Sequence, residues 1–96
     1  MSNSERRTDE GELATLLLKT DEAIKNANLV SERLEKDKSD VYREEIAQHM
    51  HTYDYVTRII DSLIEQGESP KAYDLIDAYN RAAKATEMMT ITKPKQ

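Results

Sequence analysis

The stretch LIEQGESPKAYDLIDAY, residues 63–79, contains the signals that decide the fold. Gly67 suits the left-handed position just past a helix end, and Ser69 is a good helix N-cap. Pro70 follows at the first helical position, where its missing N–H is not needed. The stretch therefore predicts one helix that ends near residue 66 and another that starts at residue 70.

Apolar residues recur at helical spacing on both sides of this turn. The helix after it, predicted over residues 70–89, has Tyr73, Ile76, Tyr79 and Ala83 on its stripe, with Ala72, Leu75 and Ala82 alongside. The helix before it, predicted over residues 40–66, would be capped by Ser39 or Asp40. Its apolar stripe is Tyr42, Ile46, Met50 or Tyr53, Val56, Ile60 and Leu63.

A further amphipathic helix is predicted over residues 9–36, with Thr8 or Asp9 as its cap. Its stripe is Leu13, Leu16, Leu17, Thr20, Ala23, Ala27, Val30 and Leu34. Because short loops make neighbouring helices antiparallel, we expect an all-α fold, a three-helix up-down-up antiparallel bundle over residues 9–90. Residues 1–8 are expected to be a flexible N-terminus, and residues 91–96 a flexible tail.

The composition fits one small helical domain. The chain has 96 residues, of which 38% are hydrophobic and 34% charged, with only two glycines and two prolines. It has no cysteine, which excludes disulfides and thiolate chemistry. The net charge of −5 argues against non-specific nucleic-acid binding, which needs a basic surface.

Nothing in the sequence indicates catalysis. The two histidines, His49 and His51, are two positions apart, so on a helix they would point to different sides and could not share a metal. Gly11 and Gly67 are isolated, so there is no glycine-rich phosphate loop. We therefore expect no enzyme activity, metal or cofactor, which leaves recognition through a helical surface.

Leu29 is an apolar residue that lies off the stripe of its helix. It lies on another face of the first helix, with Lys25 and Arg33 one turn to either side. On the third helix, Ala72 and Ile76 form a similar row with Asn80. A single exposed leucine is common in folded proteins, so the pattern alone does not separate a binding surface from an ordinary one.

A family resemblance bears on this question. Asn26 followed by LVSERL, residues 29–34, resembles the N-x-x-L-L-x-E-M-L motif in the first helix of GAT domains. These domains occur in the Golgi-localised gamma-ear adaptors, the target-of-Myb adaptors and a fungal actin-patch relative. DLIDAYNRAAKA, residues 74–85, resembles their third helix, with Tyr79-Asn80 where Asn-Asp is usual. The resemblance covers residues 9–90.

The resemblance implies a sorting adaptor of endosomes and the Golgi. GAT domains are three-helix bundles that bind ubiquitin on cargo, and some bind Arf-type GTPases or other trafficking and actin-patch adaptors. The protein would then be cytoplasmic and would reach membranes only through its partners. Its surfaces would be small apolar patches of the size that suits transient contacts.

Two ubiquitin-binding patches are implied by the family pattern. The first combines Leu29 and Arg33, beside Lys25, with Ile46 and His49 of the second helix; Arg33 replaces a methionine, so one apolar contact is missing.

The second patch consists of Ala72, Ile76 and Asn80 on the third helix. Asn80 replaces an aspartate of the family, which would weaken pairing with a basic ubiquitin surface.

A rival resemblance comes from a different class of protein. SPKAYDLIDAYNRA, residues 69–82, is loosely similar to the inter-helix segment of small terminase subunits of tailed phages. Those subunits form rings that package DNA, so this alternative predicts a stable ring oligomer and DNA binding. The acidic composition and the lack of a separate DNA-binding domain weigh against it. A helical scaffold without ubiquitin contact is a third alternative.

Overall fold

The structure is a computed structural model that describes residues 2–36, 45 and 48–94. Its helices are α1 (Ser2–Lys36), α2 (Tyr53–Glu65) and α3 (Ser69–Thr86). All three pack against one another, and α1 makes its most extensive contact with α3. The described residues therefore form an all-α, three-helix up-down-up bundle, as the sequence predicts.

Two ion pairs join α1 to α3 and show how these helices run. Lys71 Nζ lies 2.5 Å from Asp21 Oδ1, and Arg81 Nη2 lies 3.6 Å from Glu35 Oε1. The partners occur in the same order along both helices, so α1 and α3 are parallel. The hydrogen bond to the Asp21 carboxylate raises the pKa of Lys71. These pairs are at the surface, where such contacts contribute little stability.

The turn between α2 and α3 has the structure that its sequence predicts. Gly67 has φ of +79°, and the N–H of Glu68 donates to the carbonyl of Leu63 at 2.7 Å. This backbone bond satisfies a carbonyl that the helix end would otherwise leave unpaired. The expected cap is displaced by one residue, because Glu68 is the N-cap of α3 and Ser69 is already helical.

Small side chains let α1 and α3 pack closely. Ala23 and Ala27 of α1 are buried, as are Ala72, Ala82 and Ala83 of α3. Larger residues complete the core; those with almost no exposed surface are Val56, Leu63, Leu75, Ile76 and Tyr79.

Two buried hydroxyls lie on α1. Thr20 and Ser31 donate to the carbonyls of Leu16 and Ala27, four residues back in the same helix. This bonding removes the penalty of burying them.

The first helix is longer than its sequence pattern predicts. It begins at Ser2, so residues 2–8, expected to be a flexible N-terminus, are helical. No proline or glycine occurs before Gly11, so nothing in this stretch opposes a helix. At 1.5 Å per residue, α1 is about 50 Å long, and it accounts for most of the 56 Å length of the molecule.

The predicted second helix is wrong at residues 48–52, although Glu45 before them is helical as predicted. The expected caps, Ser39 and Asp40, and the stripe residue Tyr42 lie outside the described residues. Residues 48–52 are not helical, and α2 begins at Tyr53 after the N-cap Thr52. The Thr52 Oγ1 accepts a hydrogen bond from the N–H of Tyr55 at 3.3 Å. This competing cap explains the later start, because it satisfies a first-turn N–H that has no partner within the helix.

The predicted third helix is too long, and the tail after it is not a free end. The αL residue Glu87, with φ of +62°, ends α3 at Thr86 rather than near residue 89. Ile91 is only 8% exposed and belongs to the hydrophobic core. The expectation of a flexible tail is therefore wrong for residues 91–94, and residues 95–96 lie outside the described residues.

Candidate partner-binding site

An open pocket lies where α1 meets the loop before α2. It has a volume of about 220 Å³ and is lined by Asn26, Leu29, Val30, Arg33 and His49. The α1 residues are three or four positions apart, so they share one face of the helix. Leu29 is 40% exposed, whereas Val30 beside it is buried. The pocket therefore has an apolar floor that is open to solvent.

The two residues after His49 anchor the loop. Met50, 7% exposed, inserts into the core. The His51 ring stacks on Tyr55 with 4.7 Å between ring centroids, and its Nε2 lies 3.3 Å from Asn26 Nδ2. These contacts hold His49 against the α1 face that carries Leu29.

The rim of the pocket is polar and carries positive charge. The Arg33 guanidinium provides a permanent cation, and Asn26 and His49 provide groups that can form hydrogen bonds. The long stem of an arginine can cover apolar surface while its head stays in water. An apolar floor with a polar rim is the usual composition of a small protein-binding site.

The structure brings together three residues of the first predicted patch. Leu29, Arg33 and His49 line the same pocket although His49 is distant from the others in sequence. Lys25 is exposed on α1 but is not among the lining residues. Ile46 lies outside the described residues, so its predicted place beside them stays a prediction.

The second predicted patch is wrong as an exposed surface. Ala72 and Ile76 have no exposed surface, because this face of α3 packs into the core. Asn80 is half-buried, and its amide bonds with the backbone of Ile91. The helical spacing of these residues comes from the core stripe.

Sequence reasoning missed Asn26 as a member of the site. It lines the pocket and also contacts His51 of the loop. Asn26 is three residues before Leu29, so helical spacing places both on one face and could have identified Asn26 from the sequence. The non-helical loop that carries His49 had no comparable signal.

The described residues contain no group of three or more His, Cys, Asp or Glu side chains that could hold a metal ion. Within the same part of the chain, no helix is both long and apolar enough to cross a membrane. Comparisons with protein-family models, curated proteins and solved structures find no match.

Proposed function

We propose that this protein is a GAT-like adaptor module that binds ubiquitin, alone or on cargo, through the Leu29 pocket. The observation that carries the proposal is the convergence of Leu29, Arg33 and His49 on one open pocket. The family resemblance assigns the same three residues to a ubiquitin-binding patch. The second patch that the resemblance implies has no part in this proposal, because Ala72 and Ile76 are buried in the core.

The pocket has the chemistry for a weak and reversible contact. A partner's apolar side chain would cover the exposed part of Leu29 and reach Val30. Burying apolar surface there stabilises the complex by about 25 cal/mol per Å². Carbonyl or carboxylate groups of the partner would accept hydrogen bonds from Arg33 and Asn26.

The charge of the rim affects which partners are accepted. Arg33 lines the pocket, and Lys25 lies one turn before Leu29 on the same helix. A partner surface with acceptor groups around an apolar centre is favoured over one that presents only cations. Against the basic surface of ubiquitin these cations oppose binding, so the contact depends on the apolar centre and is weak. A weak contact suits transient recognition of cargo during endosomal and Golgi sorting, with membranes reached through partners. Arf-type GTPases and other adaptors are further partners in this proposal.

The proposal is tested by comparing two exposed leucines of α1. Leu29 is 40% exposed in the pocket, and Leu18 is 67% exposed outside it. We expect Leu29→Ala to raise the Kd for ubiquitin by about five-fold or more, the effect of losing a residue that contributes over 1 kcal/mol. Leu18→Ala should leave the Kd unchanged. Equal effects of the two substitutions, or no effect of either, would contradict the proposal.

A further inference from the structure

Residues 91–94 lie along one face of α3. Three α3 residues hold them, and these residues are spaced at helical intervals: Tyr73, Asp77 and Asn80. Ile91 meets Asn80, and Pro94 meets Tyr73, so this segment runs antiparallel to α3. We call the surface formed by Tyr73, Asp77 and Asn80 the α3 groove.

Asn80 binds the backbone of this segment at two points. Its Nδ2 donates to the carbonyl of Ile91 at 2.8 Å, and the N–H of Ile91 donates to its Oδ1 at 2.8 Å. One side-chain amide therefore satisfies both polar groups of a single residue. Such pairing requires an extended strand-like segment but no particular side chain, as in other modes of peptide recognition.

The side chains of residues 91–94 make the contacts that could distinguish one segment from another. Ile91 is 8% exposed and packs into the core. Lys93 Nζ lies 2.8 Å from Asp77 Oδ1 and 5.9 Å from the centre of the Tyr73 ring. The Tyr73 hydroxyl donates to the carbonyl of Pro94 at 3.4 Å. The groove thus holds an apolar residue followed two positions later by a cation.

We propose that the α3 groove is a recognition site for an extended segment of a partner protein with this apolar-x-cation pattern, and that residues 91–94 are its ligand in cis. Several of the contacts are exposed: the side chains of Lys93 and Asp77 are 52% and 62% accessible. Exposed ion pairs hold weakly. A partner segment of matching chemistry would displace the tail. This groove is separate from the Leu29 pocket.

The test uses the full chain and a fluorescent synthetic peptide of sequence MTITKPK, residues 89–95. In the wild type the tethered segment competes at an effective concentration on the order of millimolar. Ile91→Asp places a charge at the buried apolar position of the Ile91 side chain, so residues 91–94 are released from the α3 groove. We expect the peptide to bind this variant at least roughly ten-fold more tightly than it binds the wild type, because the cis competitor is lost.

Two controls define the site. Adding Asn80→Ala to the Ile91→Asp variant should abolish peptide binding. A peptide with glutamate in place of the lysine that corresponds to Lys93 should not bind. If Ile91→Asp fails to fold by circular dichroism, Ile91→Ala combined with Lys93→Glu replaces it, since the first change removes the apolar side chain and the second opposes Asp77 at an exposed position.

Failure of the peptide to bind either folded variant at millimolar concentration would overturn the proposal. A concentration-dependent dimer that excludes the peptide would also overturn it, because the ligand would then be the tail of a second copy. Neither outcome depends on ubiquitin, so this proposal and the Leu29 proposal fail separately.

Discussion

Asn26 Nδ2 lies 3.3 Å from His51 Nε2, and this contact joins α1 to the loop that carries His49. The same asparagine lines the Leu29 pocket. The pocket therefore depends on a link between two segments that are distant in sequence. The shape of the pocket depends on the residues that line it and also on the contacts that hold the loop in place.

Loss of the His51 side chain is expected to weaken partner binding more than it weakens the fold. His51→Ala removes both the contact with Asn26 and the stacking on Tyr55, so His49 is no longer held at the pocket. We expect a several-fold rise in the Kd for ubiquitin, because the loop, no longer held by His51, must be ordered on binding. Titration calorimetry measures the Kd, and thermal unfolding gives the stability of the same samples. A Kd equal to that of the wild type would show that the loop does not shape the site.

The Thr52 cap is expected to stabilise the start of α2. Its hydroxyl oxygen accepts the N–H of Tyr55, so Thr52→Ala should lower the free energy of unfolding by about 1 kcal/mol. Thr57→Ala is the matched control, because the Thr57 hydroxyl donates to a carbonyl within the helix and is not a cap. Urea unfolding, monitored by circular dichroism, compares the free energies of unfolding of the two variants. A larger loss from Thr57→Ala than from Thr52→Ala would show that the cap is not used.

The two glycines are expected to respond oppositely to alanine. Gly11 lies inside α1, and an added Cβ would meet nothing within 4 Å, so Gly11→Ala should stabilise by about 0.5–1 kcal/mol. Gly67 has φ of +79°, so Gly67→Ala should destabilise by about 1 kcal/mol or more. Chemical denaturation of both variants measures the difference. Equal and small effects would contradict the assigned backbone conformations.

Replacing Tyr79 with phenylalanine is expected to stabilise the fold. The Tyr79 ring is 1% exposed, and its hydroxyl has no hydrogen-bond partner among the described residues. Burying an unpaired hydroxyl costs about 1–3 kcal/mol, so Tyr79→Phe should raise the free energy of unfolding by an amount in this range. A loss of stability in the variant would indicate that the hydroxyl is paired in solution.

The same substitution should change the response to alkaline pH. Burial raises the pKa of Tyr79 above its usual 10.0, with a smaller contribution from Tyr53. Above pH 10.0 the unfolded chain loses this proton while the folded chain keeps it, so the wild type loses stability as the pH rises. The stability advantage of Tyr79→Phe should therefore widen from pH 8 to pH 11. Denaturation at both pH values checks this, and a constant difference would contradict it.

The helical pattern predicted most of the fold because it records which faces are buried. The α1 residues Ala23, Ala27, Val30 and Leu34 are all buried as their spacing predicts. The same pattern wrongly predicts a binding row on α3, because Ala72 and Ile76 are buried in the core. Helical spacing identifies residues that share a face, but only packing decides whether a neighbour covers that face.

The irregular segments were predicted least well, for a physical reason. Residues 48–52 carry helix-compatible side chains, and the Thr52 cap prevails there over the continuing apolar pattern. The tail after α3 is held by Asn80, whose two hydrogen bonds go to backbone groups of Ile91. Contacts with the backbone leave no periodic signal in the sequence, so they become visible only in the structure.

Titration of unlabelled ubiquitin into the ¹⁵N-labelled chain, followed by NMR, is the most direct test of the proposed function. We expect amide shifts that cluster at Asn26, Leu29 and His49 and leave the α3 groove unchanged. No shifts at millimolar ubiquitin would contradict ubiquitin binding, and shifts confined to α3 would contradict the choice of pocket. Lines broadened throughout before ubiquitin is added would instead favour a large ring assembly of the phage-packaging kind.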